Sequence, residues 1–196
     1  MATLKALLAS KDQSVRLKAA LAAGTYPEPE YIDILIIQCA RDEDFFVRDT
    51  LSWALMRHDR VQVVERLKKE LISPIPQARS QALHTLSKIG DQDNYSLITL
   101  NHLLDEDDSV AVTAWRSASV LVPEELKPDL VAILITQLGR GDGDTQFALT
   151  RFLCMIGDAI VEPLRLAAKS KKDEIRIHAE LTLIRYQEMQ LEFKKK

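Results

Sequence analysis

The sequence predicts an all-α protein, an α-α superhelix (solenoid) of about six two-helix repeats. Two observations carry this prediction. Apolar residues recur at the spacing of an amphipathic helix, and the same pattern returns after roughly 30 to 35 residues along the whole chain. No segment alternates polar and apolar residues as a half-buried strand does.

One helix of each repeat is marked by an anchor residue whose fourth and eighth successors are all Ala or Leu. These positions form a single stripe on a helix, and the frequent Ala predicts that neighbouring helices approach closely. The anchors, in chain order, are Val15, Val47, Ala78, Val110, Thr145 and Ile175.

A second apolar-periodic segment precedes the anchor helices and is predicted to form their partner helices. These segments cover residues 31–40, 61–71, 97–104, 126–138 and 161–168. Capping acids, Gly and Pro separate the segments. We therefore predict one domain over residues 1–196, with repeats at about 1–25, 26–58, 59–90, 91–122, 123–157 and 158–196.

The composition is that of a globular chain. It has 26 Lys and Arg against 29 Asp and Glu, a net charge of −3, and 46% hydrophobic residues, which excludes a disordered or disulfide-rich secreted protein. No run reaches the roughly 20 apolar residues of a membrane span, and the start lacks a secretory signal, so a cytoplasmic location is expected. Cys39 and Cys154 are expected to be small buried hydrophobic residues.

Three segments carry a resemblance to a known family. Residues 12–16 (DQSVR), 44–48 (DFFVR) and 77–91, which contains ALHTLSKIGD, resemble HEAT-like repeats. The second helix of such repeats opens with Asp-x-x-Val-Arg and ends near Ala-Leu-x-x-Ile-Gly. The resemblance implies an armadillo-like solenoid fold. It implies no single function, because repeats of this kind occur in scaffolds, bilin lyases and DNA alkylation-repair proteins.

The resemblance also implies a structural ladder between repeats. The residue after the anchor usually bonds to an acid or a carbonyl of the neighbouring repeat, and this position holds Arg16, Arg48, Arg79 and Arg176. Ala111 and Gln146 replace the arginine in the fourth and fifth repeats. We therefore expect the ladder to be interrupted in the second half of the chain.

Catalytic motifs are absent from the sequence. It contains no phosphate-binding loop, dinucleotide fingerprint, His-Glu-x-x-His or Gly-x-Ser-x-Gly, and its four histidines lack metal-ligand spacing. No catalytic residue, metal or cofactor is predicted. The Gly-rich segment at 139–144 is predicted to be a helix-capping loop, and the three lysines at 194–196 are too few for a nucleic-acid arm.

The anchor helices are expected to line a concave groove, the usual binding surface of such repeats. Residues two, three, six and ten positions after each anchor are predicted to face this groove. The candidate groove-binding residues are Asp49, Trp53, Arg57, His84, Lys88, Arg116 and Arg151. An exposed Trp beside arginines is typical of a binding hot spot. The alternative for Trp53 is packing against a neighbouring repeat, and Trp115 is expected in the core.

These observations favour a non-enzymatic interaction or scaffold module that binds a protein or peptide in its groove. The cationic middle of the groove favours an acidic partner, and a monomer or weak dimer is expected. The alternative is a nucleic-acid-binding protein similar to the HEAT-like alkylpurine DNA glycosylases, because Asp49 and Trp53 share one helix face. The net negative charge argues against duplex binding. A bilin lyase-like protein is the third hypothesis, although no residue specifies a tetrapyrrole site.

Overall fold

The computed structural model describes residues 3–193 as helices joined by short loops and 3₁₀ turns, with no strand in that range. The all-α prediction is confirmed. No helix within the described range is long and apolar enough to cross a membrane. The three lysines at 194–196 lie outside the described residues.

The chain forms two compact units that divide between Asp91 and Gln92. This division falls one residue after the predicted end of the third repeat. The six repeat limits and the single domain over residues 1–196 stay predictions.

The first unit stacks its helices in pairs. Its helices are α1 (Leu4–Leu8), α2 (Gln13–Thr25), α3 (Tyr31–Cys39), α4 (Phe45–Leu55), α5 (Arg60–Leu71) and α6 (Pro76–Ile89). The anchor helix α4 packs against both α2 and α6, while α3 packs on α4 and α5 on α6. The stripe residues Leu51, Ala82 and Leu86 are buried, so the apolar stripe of each anchor helix faces the core.

The second unit repeats this arrangement. Its helices are α7 (Leu100–Leu103), α8 (Asp108–Leu121), α9 (Lys127–Ile135), α10 (Gly143–Ile156), α11 (Val161–Ala167) and α12 (Asp173–Phe193), with 3₁₀ turns at Gln92–Leu97, Glu124–Leu126 and Asp158–Ile160. The anchor helix α10 packs against both α8 and α12. Trp115 is 0% exposed, and its indole N–H donates to the carbonyl of Leu103 at 2.8 Å. Trp115 is therefore a core residue, as expected.

The partner segment predicted at 97–104 differs from expectation. It forms the end of a 3₁₀ turn and the four-residue helix α7. Thr99 takes an extended backbone and caps α7 together with His102, whose Nδ1 accepts the backbone N–H of Thr99 at 3.0 Å. A continuous helix cannot pass through a residue in the extended conformation, so the cap shortens this partner helix.

Four anchor helices begin with an Asp cap three residues before the anchor. The caps are Asp12, Asp44, Asp107 and Asp142, and each accepts a backbone N–H of the first turn. Asp142 accepts the N–H of Thr145 at 2.9 Å, and Gly139 and Gly141 supply the positive φ angles of +81° and +68° that this loop requires. The segment at 139–144 is therefore a capping loop.

A second turn motif lies two residues before the cap. The side chains of Ser10, Asp42, Ser73, Asp105 and Ser170 each accept the backbone N–H of the residue two positions later, at 3.0 to 3.3 Å. A short polar side chain can close such a turn locally. Five of the six anchor helices are thus entered through the same turn.

Candidate functional site

The side chain of Arg16 links α2 to the loop that precedes α4. Its Nε donates to Oδ2 of Asp42 at 2.8 Å and its Nη2 donates to Oδ1 at 3.0 Å, a forked arrangement. Its Nη1 also donates to the carbonyl of Ser10 at 3.0 Å. This is the contact to a neighbouring acid that the resemblance to HEAT-like repeats implies.

Asp42 is 3% exposed and has several hydrogen-bond donors. Burial alone would raise the pKa of its carboxyl, but hydrogen bonds from Arg16, Gln38 and the Asp44 amide lower that pKa below its ordinary value. The side-chain amide of Gln77 on α6 donates to the carbonyl of Asp42 at 2.9 Å. The loop before α4 is thus tied to α2 on one side and to α6 on the other.

The other predicted ladder arginines bind carbonyls of their own loops. Each donates through Nη1 to the carbonyl six residues before it. The bonds join Arg48 to Asp42 at 2.9 Å, Arg79 to Ser73 at 2.8 Å and Arg176 to Ser170 at 3.4 Å. The bond from Arg16 to Ser10 has the same spacing. These arginines therefore hold the turn that leads into each anchor helix.

The expected interruption of the ladder at Ala111 needs correction. The carbonyl six residues before Ala111 belongs to Asp105, and it accepts a hydrogen bond from Nη2 of Arg140. Arg140 also donates to the carboxylate of Asp108 at 2.8 Å, and its guanidinium carbon lies 5.7 Å from the ring centroid of Trp115. An arginine from the following loop supplies the donor that alanine lacks.

The second expected gap, at Gln146, is also filled. The side-chain amide of Gln146 donates to the carbonyls of Gly139 and Gly141 at 3.4 and 3.3 Å. A glutamine is shorter than an arginine but carries N–H donors of the same kind. The loop carbonyls of the second unit are therefore bound, although by other side chains than the pattern predicts.

The structure brings three candidate groove residues together on the inner face of the first unit. Nζ of Lys88 on α6 lies 2.5 Å from Oδ1 of Asp49 on α4, and Nε2 of His84 lies 3.9 Å from the same oxygen. The charges of Asp49 and Lys88 compensate each other. This part of the inner face is polar and close to neutral.

Trp53 lies on the same face and is half-buried. Its indole packs against α2 at Gly24, where an added Cβ would collide with the ring and lie 2.8 Å from the Cα of Ala54. Close approach of α2 and α4 therefore requires glycine at this position. Trp53 combines this packing with a partly exposed ring. Arg57 follows the end of α4 and is exposed.

Arg116 and Arg151 lie on the second unit, on α8 and α10, and both are exposed. Within residues 3–193 neither forms an ion pair. The guanidinium carbon of Arg151 lies 5.9 Å from the ring centroid of Phe152. These two arginines therefore keep their positive charge available to a partner.

Exposed apolar residues surround these arginines, and the sequence analysis did not select them as candidate site residues. Phe147 and Met155 on α10 and Leu181 on α12 are 60%, 51% and 57% exposed. They lie two, ten and six residues after their anchors, so the positional rule for groove residues already includes them. The candidate residues predicted from the sequence are instead charged side chains, one histidine and one tryptophan at these positions.

The described residues bring no metal-ligand cluster together, and both cysteine thiols are buried. No group of three or more His, Cys, Asp or Glu within residues 3–193 could hold a metal ion. Burial raises the pKa of the Cys39 thiol to about 12 and that of Cys154 to about 11, so both thiols stay protonated and are poor nucleophiles. Both cysteines are free and buried, as expected.

Comparison with known proteins finds similarity to helical-repeat proteins, in agreement with the stacked helix pairs described above. Residues 1–74 match the family model for HEAT repeats. Residues 1–74 are thus similar to HEAT repeats. The chain is similar to the karyopherin Kap121p, solved bound to the extreme C-terminus of the protein phosphatase Cdc14p, with a TM-score of 0.65 and 17% identity over 93% of this chain and 22% of that one.

A second structure, of Kap121p bound to Nup53p, gives a TM-score of 0.62 and 18% identity over 93% of this chain and 22% of that one. The chain thus spans about a fifth of the karyopherin, and at this identity the likeness shows the helical-repeat fold alone. The CpcE–CpcF phycocyanin lyase complex of Nostoc sp. PCC7120 gives a TM-score of 0.35 at 17% identity, over 95% of each chain, and adds nothing to the bilin-lyase hypothesis. No curated protein matches the sequence.

Proposed function

We propose that the chain is a non-enzymatic interaction module that binds a protein or peptide along the inner faces of its anchor helices. One observation carries this proposal. The side of each anchor helix opposite the buried stripe presents aromatic and cationic residues, among them Trp53, Arg116 and Arg151. Large rings and forked guanidinium groups dominate the energetics of protein interfaces.

The similar karyopherin structures support the kind of partner. In those structures the karyopherin Kap121p is bound to the extreme C-terminus of Cdc14p and to Nup53p. An acidic protein segment fits the arginines of the inner face best. For the first unit by itself, the proposed contacts are polar and come from Asp49, Arg57, His84 and Lys88.

The proposal also covers the location, the repeat number, the oligomeric state and the role of the ladder arginines. The module is a cytoplasmic scaffold of six repeats over residues 1–196, a monomer or weak dimer, and the ladder arginines keep the entries of its anchor helices rigid. Light scattering of the purified chain measures the mass. A rigid presenting surface lowers the entropy cost of binding, which is the physical use of such a ladder.

Capture from lysate tests the proposal. Wild type and the variants Trp53→Ala, Arg116→Ala and Arg151→Ala are compared, with Arg165→Ala on α11 as a control, because Arg165 is exposed on a partner helix. A protein captured by wild type and the control and lost in at least one inner-face variant of unchanged circular dichroism supports the proposal. Equal capture by all variants, or capture that nuclease abolishes, contradicts it.

A further inference from the structure

The inner face of the second unit differs chemically from that of the first. In the first unit the equivalent positions include Asp49, which pairs with His84 and Lys88, and they also include Leu21, Trp53 and Arg57. In the second unit they hold large apolar side chains and two arginines. We call this surface the C-terminal inner face, and it consists of Arg116, Phe147, Arg151, Met155, Ile177 and Leu181.

These residues belong to helices that lie side by side. α8 packs against α10, and α10 packs against α12. The residues on the opposite stripe, Ala114, Leu149 and Ala179, are at most 1% exposed, so the core of the unit is complete without the C-terminal inner face. Its apolar side chains are therefore surplus to the packing of this unit.

The exposure of this apolar surface indicates a binding site. Phe147 is 60%, Leu181 57%, Met155 51% and Ile177 50% exposed. Single exposed apolar residues are ordinary, but exposed apolar residues that concentrate on neighbouring packed helices are typical of interaction surfaces. Burying them against a partner would stabilise a complex through the hydrophobic effect.

The charges of the patch specify what binds there. Arg116 and Arg151 occupy the same position of consecutive repeats, six residues after the anchor. They form no ion pair within the described residues, whereas Arg140 and Arg185 in the same unit are paired with Asp108 and Glu188. Two uncompensated guanidinium groups among apolar side chains are complementary to carboxylates on an otherwise apolar segment.

We propose that the C-terminal inner face binds an acidic amphipathic segment of a partner protein, with carboxylates on Arg116 and Arg151 and apolar side chains on Phe147, Met155 and Leu181. The proposal rests on the proposed function and assigns its main contact to the second unit. Packed helices lie about 8–10 Å apart, which is close to two turns of an α-helix. A helical ligand would therefore present acidic residues about seven positions apart.

Selection of peptides tests this proposal. A display library of random sixteen-residue peptides is panned against the full chain, and the affinity of each enriched peptide is measured by fluorescence anisotropy. The proteins compared are wild type, R116E/R151E, M155S/L181S, Trp53→Ala and the control R165E, which reverses an exposed arginine on the partner helix α11. Circular dichroism verifies that each variant is folded.

The expected peptides combine apolar residues with at least two Asp or Glu. R116E/R151E should weaken their binding by at least about tenfold, M155S/L181S should also weaken it, and R165E should change it by less than about twofold. Replacing the acidic residues of a peptide by Lys should restore its binding to R116E/R151E, because the charges are complementary again.

Three results would overturn the proposal. The first is that R116E/R151E still binds the enriched peptides. The second is that the enriched peptides are basic, and the third is that no peptide is enriched. Peptides that lose binding only in Trp53→Ala would overturn this assignment and leave the proposed function standing. If the lysate capture also yields no partner, both proposals fail.

Discussion

Arg16 on α2 and Asp42 in the loop before α4 form a forked ion pair across 26 positions of the chain, with Nε–Oδ2 and Nη2–Oδ1 distances of 2.8 and 3.0 Å. The Asp42 side chain is 1% exposed and the Arg16 side chain 15%. Because Gln77 on α6 also binds the carbonyl of Asp42, this one residue connects α2, the entry of α4 and α6.

Removing the cation of this pair should destabilise the first unit. Arg16→Ala leaves the Asp42 carboxylate buried without its partner, and such a change costs about 3 kcal/mol of unfolding free energy. Urea denaturation followed by circular dichroism measures it. The matched control is Arg41→Ala, an exposed arginine whose removal should cost less than about 0.5 kcal/mol. Equal urea midpoints for the two variants would contradict the structural role of Arg16.

Arg48→Ala should also lower stability, but through neutral acceptors. Nη1 of Arg48 donates to the carbonyls of Asp42 and Glu43 at 2.9 and 2.8 Å, and their loss should cost about 1 to 3 kcal/mol. Thermal melting measures this change. An unchanged melting temperature would mean that water replaces the guanidinium without cost, which would remove Arg48 from the ladder.

Removing Arg140 should lower the stability of the second unit, as removing Arg16 should lower that of the first. Arg140→Ala frees the Asp105 carbonyl and the Asp108 carboxylate, so we expect a loss of about 1 to 2 kcal/mol in unfolding free energy. Adding Ala111→Arg to this variant should recover part of the loss, since the new side chain stands six residues after Asp105. A second substitution that only adds to the loss would contradict the equivalence of the two positions.

The burial of His178 predicts that the stability of the protein depends on pH. It is 3% exposed, its Nδ1 accepts the backbone N–H of Gly139 at 3.0 Å and its Nε2 lies 3.1 Å from the hydroxyl of Thr150. Burial lowers the pKa of this histidine below 6.5. The folded chain therefore binds fewer protons than the unfolded chain below that pH, and unfolding free energy falls as the pH falls from about 6.5 towards the folded pKa.

The measurement is a series of urea titrations between about pH 7.5 and about pH 5. His178→Gln lacks the titrating group, so its unfolding free energy should fall less over this range than that of wild type. If the variant and wild type lose stability equally with pH, another group is responsible for the titration.

The sequence predicted the helices well because their signals are local. The stripe after Val110 and Thr145, the Asp142 cap and the core position of Trp115 all depend on residues within one or two helical turns. The role of Arg140 is different. Arg140 donates to the loop carbonyl that an arginine at position 111 would bind, and this contact depends on the three-dimensional path of the following loop. No spacing rule contains that information.

The site was only partly predictable for the same reason. The helix positions of Asp49 and Lys88 followed from the repeat, but their pairing depends on the distance between α4 and α6 and on side-chain rotamers. The apolar residues Phe147 and Met155 stood at predicted groove positions. Their exposure became evident only from the fold, because an apolar residue at such a position is equally compatible with a buried contact.

The central claim is that the inner helix faces bind a protein segment through free arginines and exposed apolar residues. The most direct measurement is the affinity of one partner, captured from lysate and purified, for wild type, R116E/R151E and R165E by isothermal titration calorimetry. We predict that R116E/R151E binds at least about tenfold more weakly than wild type while R165E, on the partner helix α11, binds within about twofold of it. Equal affinities for wild type and R116E/R151E would contradict the claim.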